Sequence, residues 1–174
     1  MPGFTKLRRE IEPRWVAEYC VKHYPLYPVR YRCPLGPIPS EVLSTLSLQE
    51  AIKVARPWRP EVDALVIGIN ELILIEAKIF KYMDGLAKLP LYKAMIPQTP
   101  ELKEHWGKPV KMELILPTEI EWVRSYAEAA GVNVVVWAPK WVLEIWRERD
   151  LYWQKPAVEL REWRKEILRR LGYE

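Results

Sequence analysis

Two β-rich runs, Val62 to Ile67 and Leu72 to Lys78, flank the short segment Gly68-Ile69-Asn70-Glu71, and little else in the chain limits its fold as much. Apolar, β-branched runs of this length around a turn segment read as a hairpin. Centring the turn on Ile69 and Asn70 pairs Ile67 with Leu72, Leu65 with Leu74, Asp63 with Glu76 and Glu61 with Lys78. Side chains alternate along a strand, so Asp63, Glu76 and Lys78 share one face, while Val66, Ile73, Ala64 and Ile75 occupy the other. A slip of one residue would exchange the faces.

Directly opposed side chains have Cβ atoms roughly 4.5–5.5 Å apart, where like charges are destabilising. Asp63 beside Glu76 therefore requires solvent, a raised pKa on one carboxyl, or a cation. Lys78 supplies one positive charge, and a hard divalent cation, which favours carboxylate oxygens, would supply two. A solvated strand end with a surface Glu–Lys pair also fits this pattern.

The rest of the chain organises around the hairpin. Glu12-Pro13 opens a helix to about His23, with proline in the tolerated first turn, and Pro25 and Pro28 end it. Val29 to Cys33 reads as a strand, Ser40 to about Ala55 as one or two short helices, and Asp84 to Trp106 as a helical region broken by prolines. Lys111 to Leu116 is a further strand, and Thr118-Glu119-Ile120-Glu121 fits a capping box for a helix ending at Gly131. Asn133 to Trp137 reads as a strand buried on both faces, and Ala157 to Leu171 as an amphipathic helix. The expected class is α/β (or α+β), with a mixed central sheet of about four to five strands flanked by helices.

At 174 residues, 49% hydrophobic and 29% charged, the chain suits a single soluble domain over residues 1–174. Its core would span about residues 12–137, with a strand/helix extension over about 138–174. Nine tryptophans argue against disorder. The apolar stretch Ala64 to Ala77 is interrupted by Asn70 and Glu71, so no membrane span is expected, and the first ten residues hold no apolar leader. Cys20 and Cys33 do not make a disulfide framework and read as reduced thiols, so the expected location is the cytoplasm (a host's cytoplasm for a viral protein).

The net charge of +4 lies in residues 1–32, where Lys6, Arg8, Arg9, Arg14, Lys22, Arg30 and Arg32 face Glu10, Glu12 and Glu18 (7 − 3 = +4). A basic amino-terminal segment suits a polyanion partner. It equally serves solubility.

Asp63, followed after twelve residues by Glu76-Ala77-Lys78 at the end of the strand LILIEAK, resembles the PD-(D/E)xK nuclease superfamily. Arg59-Pro60-Glu61-Val62-Asp63 is similar to the strand that delivers the family's first acid, although the proline does not adjoin Asp63. The element order also looks like that restriction-endonuclease-like core. The resemblance implies a divalent-metal-dependent endonuclease acting on DNA phosphodiesters. Asp63, Glu76 and the backbone carbonyl of Ala77 would hold Mg²⁺ or Mn²⁺, and Lys78 would orient or help deprotonate the attacking water. The family often adds a glutamate from the first helix. Glu18, at the border of the Trp15–Val16–Tyr19 apolar face, is the choice here, with Glu10 and Glu12 as competitors.

Lys88-Leu89-Pro90-Leu91-Tyr92 is similar to the family's Gln-Leu-x-x-Tyr pattern, with lysine in place of glutamine and a proline expected to break or shorten the helix. Lys88, Tyr92 and Lys93, together with Arg30, Arg32, Arg8 and Arg9, form the expected nucleic-acid contacts. Small size suits a junction resolvase or a compact viral nuclease working on branched or single-stranded DNA, with a homodimer as the expected assembly. The alternative is a catalytically idle nuclease-fold protein that binds nucleic acid or serves viral assembly.

Two other constellations carry less. Cys20-x-x-His23 with Cys33 and His105 lacks the paired spacing of a zinc site. Trp137, Trp141, Trp146, Trp153 and Trp163 alternate with arginines in the manner of base-stacking surfaces. Glu159, Glu162 and Glu166 balance the nearby basic residues, which favours a helix-packing or dimer surface.

Overall fold

The hairpin forms in the expected register. In the computed structural model, which describes residues 4–150 and 155–172, β2 (Glu61–Ile67) and β3 (Leu72–Ala77) pair antiparallel through Ile67↔Leu72, Val66↔Ile73, Leu65↔Leu74 and Ala64↔Ile75. The turn closes with the Gly68 N–H donating to Glu71 O at 2.9 Å. A Cβ at Gly68 would lie 2.9 Å from that same oxygen, so the tight turn needs glycine here.

Ahead of the hairpin come α1 (Phe4–His23), β1 (Val29–Pro34), α2 (Ser40–Thr45) and α3 (Leu48–Ala55). After it come α4 (Tyr82–Met95), β4 (Val110–Leu116), α5 (Glu121–Ala129) and β5 (Asn133–Val136). The five strands form one mixed sheet in the order β1-β2-β3-β4-β5. β1, β2 and β3 are successively antiparallel, whereas β4 and β5 continue parallel to β3. This is an α/β architecture. A parallel neighbour for β3 requires a long crossover, and α4 with the following 3₁₀ turns supplies it. All six residues of β3 are buried, as the strand at the centre of a covered sheet should be.

One face of the sheet, built on Leu65, Leu72, Leu74, Met112, Leu114 and Leu116, packs against Leu86 and Leu89 of α4 and Val123 and Ala127 of α5. On the other side α1 lies across β1, β2 and β3, with Trp15, Val16, Tyr19 and Cys20 buried. The Trp15 Nε1–H donates to the Trp137 carbonyl (3.1 Å), and Tyr19 and Tyr24 both donate hydroxyl hydrogens to Glu113 (3.0 and 2.8 Å). Burial pushes the Cys20 and Cys33 thiols up to about 12 and about 11 respectively, so both stay protonated and unreactive. The His23 ring stacks on Tyr19, with centroids 4.4 Å apart, instead of joining Cys20 as a metal ligand.

Several local expectations are corrected. α1 does not start at Glu12: it runs from Phe4 with Pro13 inside it. Ile11 stands four residues before Trp15, so the apolar stripe is already present ahead of the proline. α4 is likewise one helix through Pro90. The missing N–H and ring clash cost about 3 kcal/mol. Burial of Leu86, Leu89 and Tyr92 on that helix offsets this, at about 1.5–3 kcal/mol for each large apolar side chain.

Thr118 does not cap α5. Ile120 occupies the cap position, which makes Glu121 the first helical residue and not the third, and Glu119 pairs with Arg124 (2.7 Å). The capping box belongs to α3, where Glu50 accepts from both the N–H and the hydroxyl of Ser47. β5 is an edge strand, with only Val134 fully buried rather than both faces.

Residues 1–138 and 139–174 form two compact units. The first holds the sheet. Described residues of the second are helical, in α6 (Lys140–Asp150) and α7 (Lys155–Arg170), with no strand among them. α6 had no counterpart in the sequence reading. On α7, Lys165 pairs with Glu162 and Arg170 with Glu166, the interleaved charges of a solvated helix face. Trp153 lies outside the described residues. No helix among the described residues is long and apolar enough to cross a membrane.

Candidate active site

The ladder between β2 and β3 stops at Ala64↔Ile75, and beyond it two acidic side chains replace the backbone bonds. The Ala77 N–H donates to Asp63 Oδ2 (3.0 Å), and the Asp63 N–H donates to Glu76 Oε1 (3.3 Å). The two strand ends are thus laced by the carboxylates expected to face each other. Lys78 follows at once, its own N–H donating to Ile115 O of β4 (3.0 Å), which fixes the root of the side chain.

The Lys78 ammonium stands among three carboxylates, 3.0 Å from Glu76 Oε2, 3.3 Å from Glu12 Oε2 and 3.8 Å from Asp63 Oδ2. Exposure is graded across the cluster. The side chains of Glu76 and Lys78 are 2% and 9% exposed, whereas those of Asp63 and Glu12 are 21% and 33% exposed, so the cluster opens to solvent on their side. Burial, reinforced by the neighbouring Asp63 charge, raises Glu76 to about 7. Burial also raises Glu12, against the pull of Lys78. For Lys78 burial acts downward, yet the surrounding carboxylates outweigh it and hold the amine above its ordinary value. It remains an ammonium at neutral pH.

With every group ionised the cluster carries three negative charges and one positive. Two carboxylates and a backbone carbonyl in such a site suit a hard dication, and Mg²⁺ in particular binds through one or two carboxylates completed by water and phosphate oxygens. Among the described residues no group of three or more His, Cys, Asp or Glu side chains forms a cage for an ion. Asp63 and Glu76, with the Ala77 carbonyl, are the residues that could hold such an ion.

Glu12, not Glu18, is the helix α1 residue in this cluster. Glu18 pairs with Arg14 on the helix surface (3.0 Å). The two glutamates lie three residues to either side of Trp15, so both border the apolar face. Six residues separate them, about 9 Å along the helix axis, and only the amino-terminal one is level with the strand ends.

Tyr92 does not face a ligand. It is buried and donates to the Glu61 carbonyl (3.0 Å), tying α4 to β2. Lys88 pairs with Asp84 (2.8 Å), and Lys93 is exposed. Arg30 donates to the Glu101 carbonyl (3.1 Å), and Arg32 pairs with Glu61 (3.1 Å). The side chains of Arg8, Arg9 and Glu10 lie outside the described ones.

Gly85 is a site residue that the sequence reading missed. On α4 it faces the Lys78 stem, and a Cβ there would sit 3.0 Å from Lys78 Cγ and 2.6 Å from Leu114 Cδ1. Alanine would improve helix propensity by about 1 kcal/mol. Overpacking typically costs about 1–3 kcal/mol. Gly85→Ala is therefore expected to lower the melting temperature slightly and to move the ammonium off the carboxylates. A lysine amine resonance that titrates as in the parent would contradict this.

No family model matches the chain, and no curated protein matches it. Among solved structures the chain is similar to one described as the crystal structure of a repair endonuclease from Pyrococcus abyssi, at 17% identity and a TM-score of 0.44. The alignment covers 75% of this chain and 48% of that one, so the chain spans about half the length of that structure.

Proposed function

We propose that the protein is a divalent-metal-dependent endonuclease that hydrolyses DNA phosphodiester bonds. One observation carries this reading: Glu12, Asp63 and Glu76 converge on the Lys78 ammonium within 3.0–3.8 Å at one end of the central strand. A buried cluster with two carboxylates in excess of its cation is poor material for stability. It suits a site that receives a cation and a phosphate.

Asp63, Glu76 and the Ala77 carbonyl would hold Mg²⁺ or Mn²⁺. When bound, such an ion polarises a phosphoryl oxygen and lowers the pKa of an attacking water. Lys78, permanently charged, stabilises the negative charge that develops on the phosphate and does not serve as the base. Glu12 lies on the open side of the cluster with its proton affinity raised, where it can take a proton from the water. The Ala77 carbonyl shares its peptide plane with the Lys78 N–H, and the bond from that N–H to Ile115 O (3.0 Å) fixes the plane.

A second reading, a nuclease-fold protein that binds without cutting, is favoured by the ammonium already bridging all three carboxylates. The two separate on a panel of duplex, single-stranded and four-way-junction DNA incubated with Mg²⁺ or Mn²⁺. Cleavage by the parent and by Glu18→Gln is expected, with loss of at least a hundredfold in Asp63→Asn and Glu12→Gln. A protein that shows no Mn²⁺ binding heat dependent on Asp63, and cuts none of the panel, is the non-cutting form.

A further inference from the structure

Strand β1 runs against β2 with Tyr31↔Ala64 and Cys33↔Val62, and the ladder skips Arg32, the residue opposite Asp63. There the backbone turns left-handed, with φ at +47°. A non-glycine residue in that region is uncommon, and such strain gathers at functional sites. The kink delivers the Arg32 guanidinium to Glu61, with Nε at 3.2 Å and Nη2 at 3.1 Å from Oε2. Arg56 reaches the same carboxylate (Nε to Oε1, 3.0 Å) and also donates to the Arg32 carbonyl (3.1 Å).

Beside them Arg59 is buried. Its Nη atoms are held by both oxygens of Glu101 (2.5 and 2.9 Å) and by the carbonyls of Gly36 (2.9 Å) and Pro34 (3.5 Å). Its Nε is the one buried side-chain nitrogen or oxygen without a partner among the described residues. Arg32, Arg56, Pro57, Arg59 and Glu61 line a cavity of about 450 Å³. Three guanidiniums against two carboxylates, Glu61 and Glu101, leave a net charge of +1 (3 − 2) and more N–H donors than acceptors.

We propose that this cavity is a phosphate subsite, which holds a backbone phosphate of the nucleic acid next to the one at the Lys78 cluster. The proposal rests on the nuclease reading of that cluster and adds where the substrate strand runs. Glu61 and Asp63 are two residues apart on β2, so they share a face and stand about 6–7 Å apart, comparable to the spacing of successive phosphates along a strand. The planar guanidinium fork matches phosphate oxygens in pairs. Glu61 acts as the template that holds Arg32 and Arg56 side by side. Nη1 of each makes no hydrogen bond among the described residues and is available to a ligand.

Arg56 is the residue to remove, because its side chain is half exposed and carries none of the proposed chemistry. Binding of a fluorescent 20-nucleotide single strand, read by anisotropy without metal over a salt series, is expected to weaken about tenfold in Arg56→Ala, with the salt slope falling by about one. Arg56→Lys should restore the slope but not the full affinity. With Mn²⁺, KM for the oligonucleotide is expected to rise in Arg56→Ala, and hydrolysis of bis(4-nitrophenyl) phosphate, too small to reach the subsite, reports the cleavage site of the parent. An unchanged affinity and salt slope in Arg56→Ala, or a parent that does not bind the strand, overturns the subsite. Arg56-dependent binding with no cleavage of either compound by the parent would overturn the nuclease reading and leave the subsite standing.

Discussion

Replacing Lys78 by methionine is expected to destabilise the metal-free protein by about 3–5 kcal/mol and to abolish cleavage, while Mg²⁺ or Mn²⁺ restores most of the stability and none of the activity. Methionine keeps the stem that fills the space beside Gly85 and removes only the charge. Glu12, Asp63 and Glu76 would then face one another at the end of β3 without a cation, and Glu76 is 2% exposed. A dication returns positive charge to the same place, so the variant's melting temperature should rise with metal far more than the parent's. A purely structural ion-pair cluster predicts the first loss but no rescue. Thermal melts with EDTA and with millimolar Mn²⁺ therefore separate a structural Lys78 from a functional one, and activity on the DNA panel reports its role toward the phosphate.

The hairpin was legible because its register depends on local chemistry alone. One tight turn and alternating apolar residues specify which side chains share a face, and the register holds from Ile67↔Leu72 to Ala64↔Ile75, while the expected Asp63–Glu76 and Glu61–Lys78 pairs lie beyond the end of the ladder. The choice between Glu12 and Glu18 was not legible, since both border the face centred on Trp15. What decides between them is the height of α1 over the sheet, a tertiary quantity set by where Trp15 and Tyr19 pack. Reading Pro13 as a helix start also placed Glu12 at the helix boundary, outside the apolar face that borders Glu18.

Pro90 misled for a related reason. Its local cost is real, but three buried neighbours on the same helix outweigh it, and only the folded structure shows them. Tyr92 fits a family pattern in the sequence, yet its hydroxyl reaches the Glu61 carbonyl and steadies β2 just ahead of Asp63. The arginine cavity depends on residues from β1, the turn after α3 and β2, which no local pattern brings together. Basic charge in the first 32 residues pointed to Arg8, Arg9, Arg30 and Arg32, and of these Arg32 lines the cavity.

Stability should depend on pH in opposite directions without and with metal. Glu76 is raised to about 7 from an ordinary 4.5, by burial and then by Asp63, and burial raises Glu12 as well. Between pH 4.5 and 7 the folded protein therefore keeps protons that the unfolded chain has released. Linkage then requires stability to fall as pH rises through that window and to level off above it. For Glu76 the loss is at most about 3 kcal/mol.

Glu50, Asp84 and Glu119 are held low by hydrogen bonds from Ser47, Lys88 and Arg124. Their contribution is present above their ordinary values and is lost only at more acid pH, so they leave this window flat. A metal ion needs the deprotonated carboxylates, so at saturating Mn²⁺ its stabilisation grows over the same range and the slope reverses. Tryptophan-fluorescence melts from pH 4.5 to 8, with EDTA and with Mn²⁺, would show the two trends crossing. Glu76→Gln should flatten most of the metal-free slope and remove the metal-dependent rise. Parallel slopes in the two conditions would mean that no cation takes the place of the proton on Glu76.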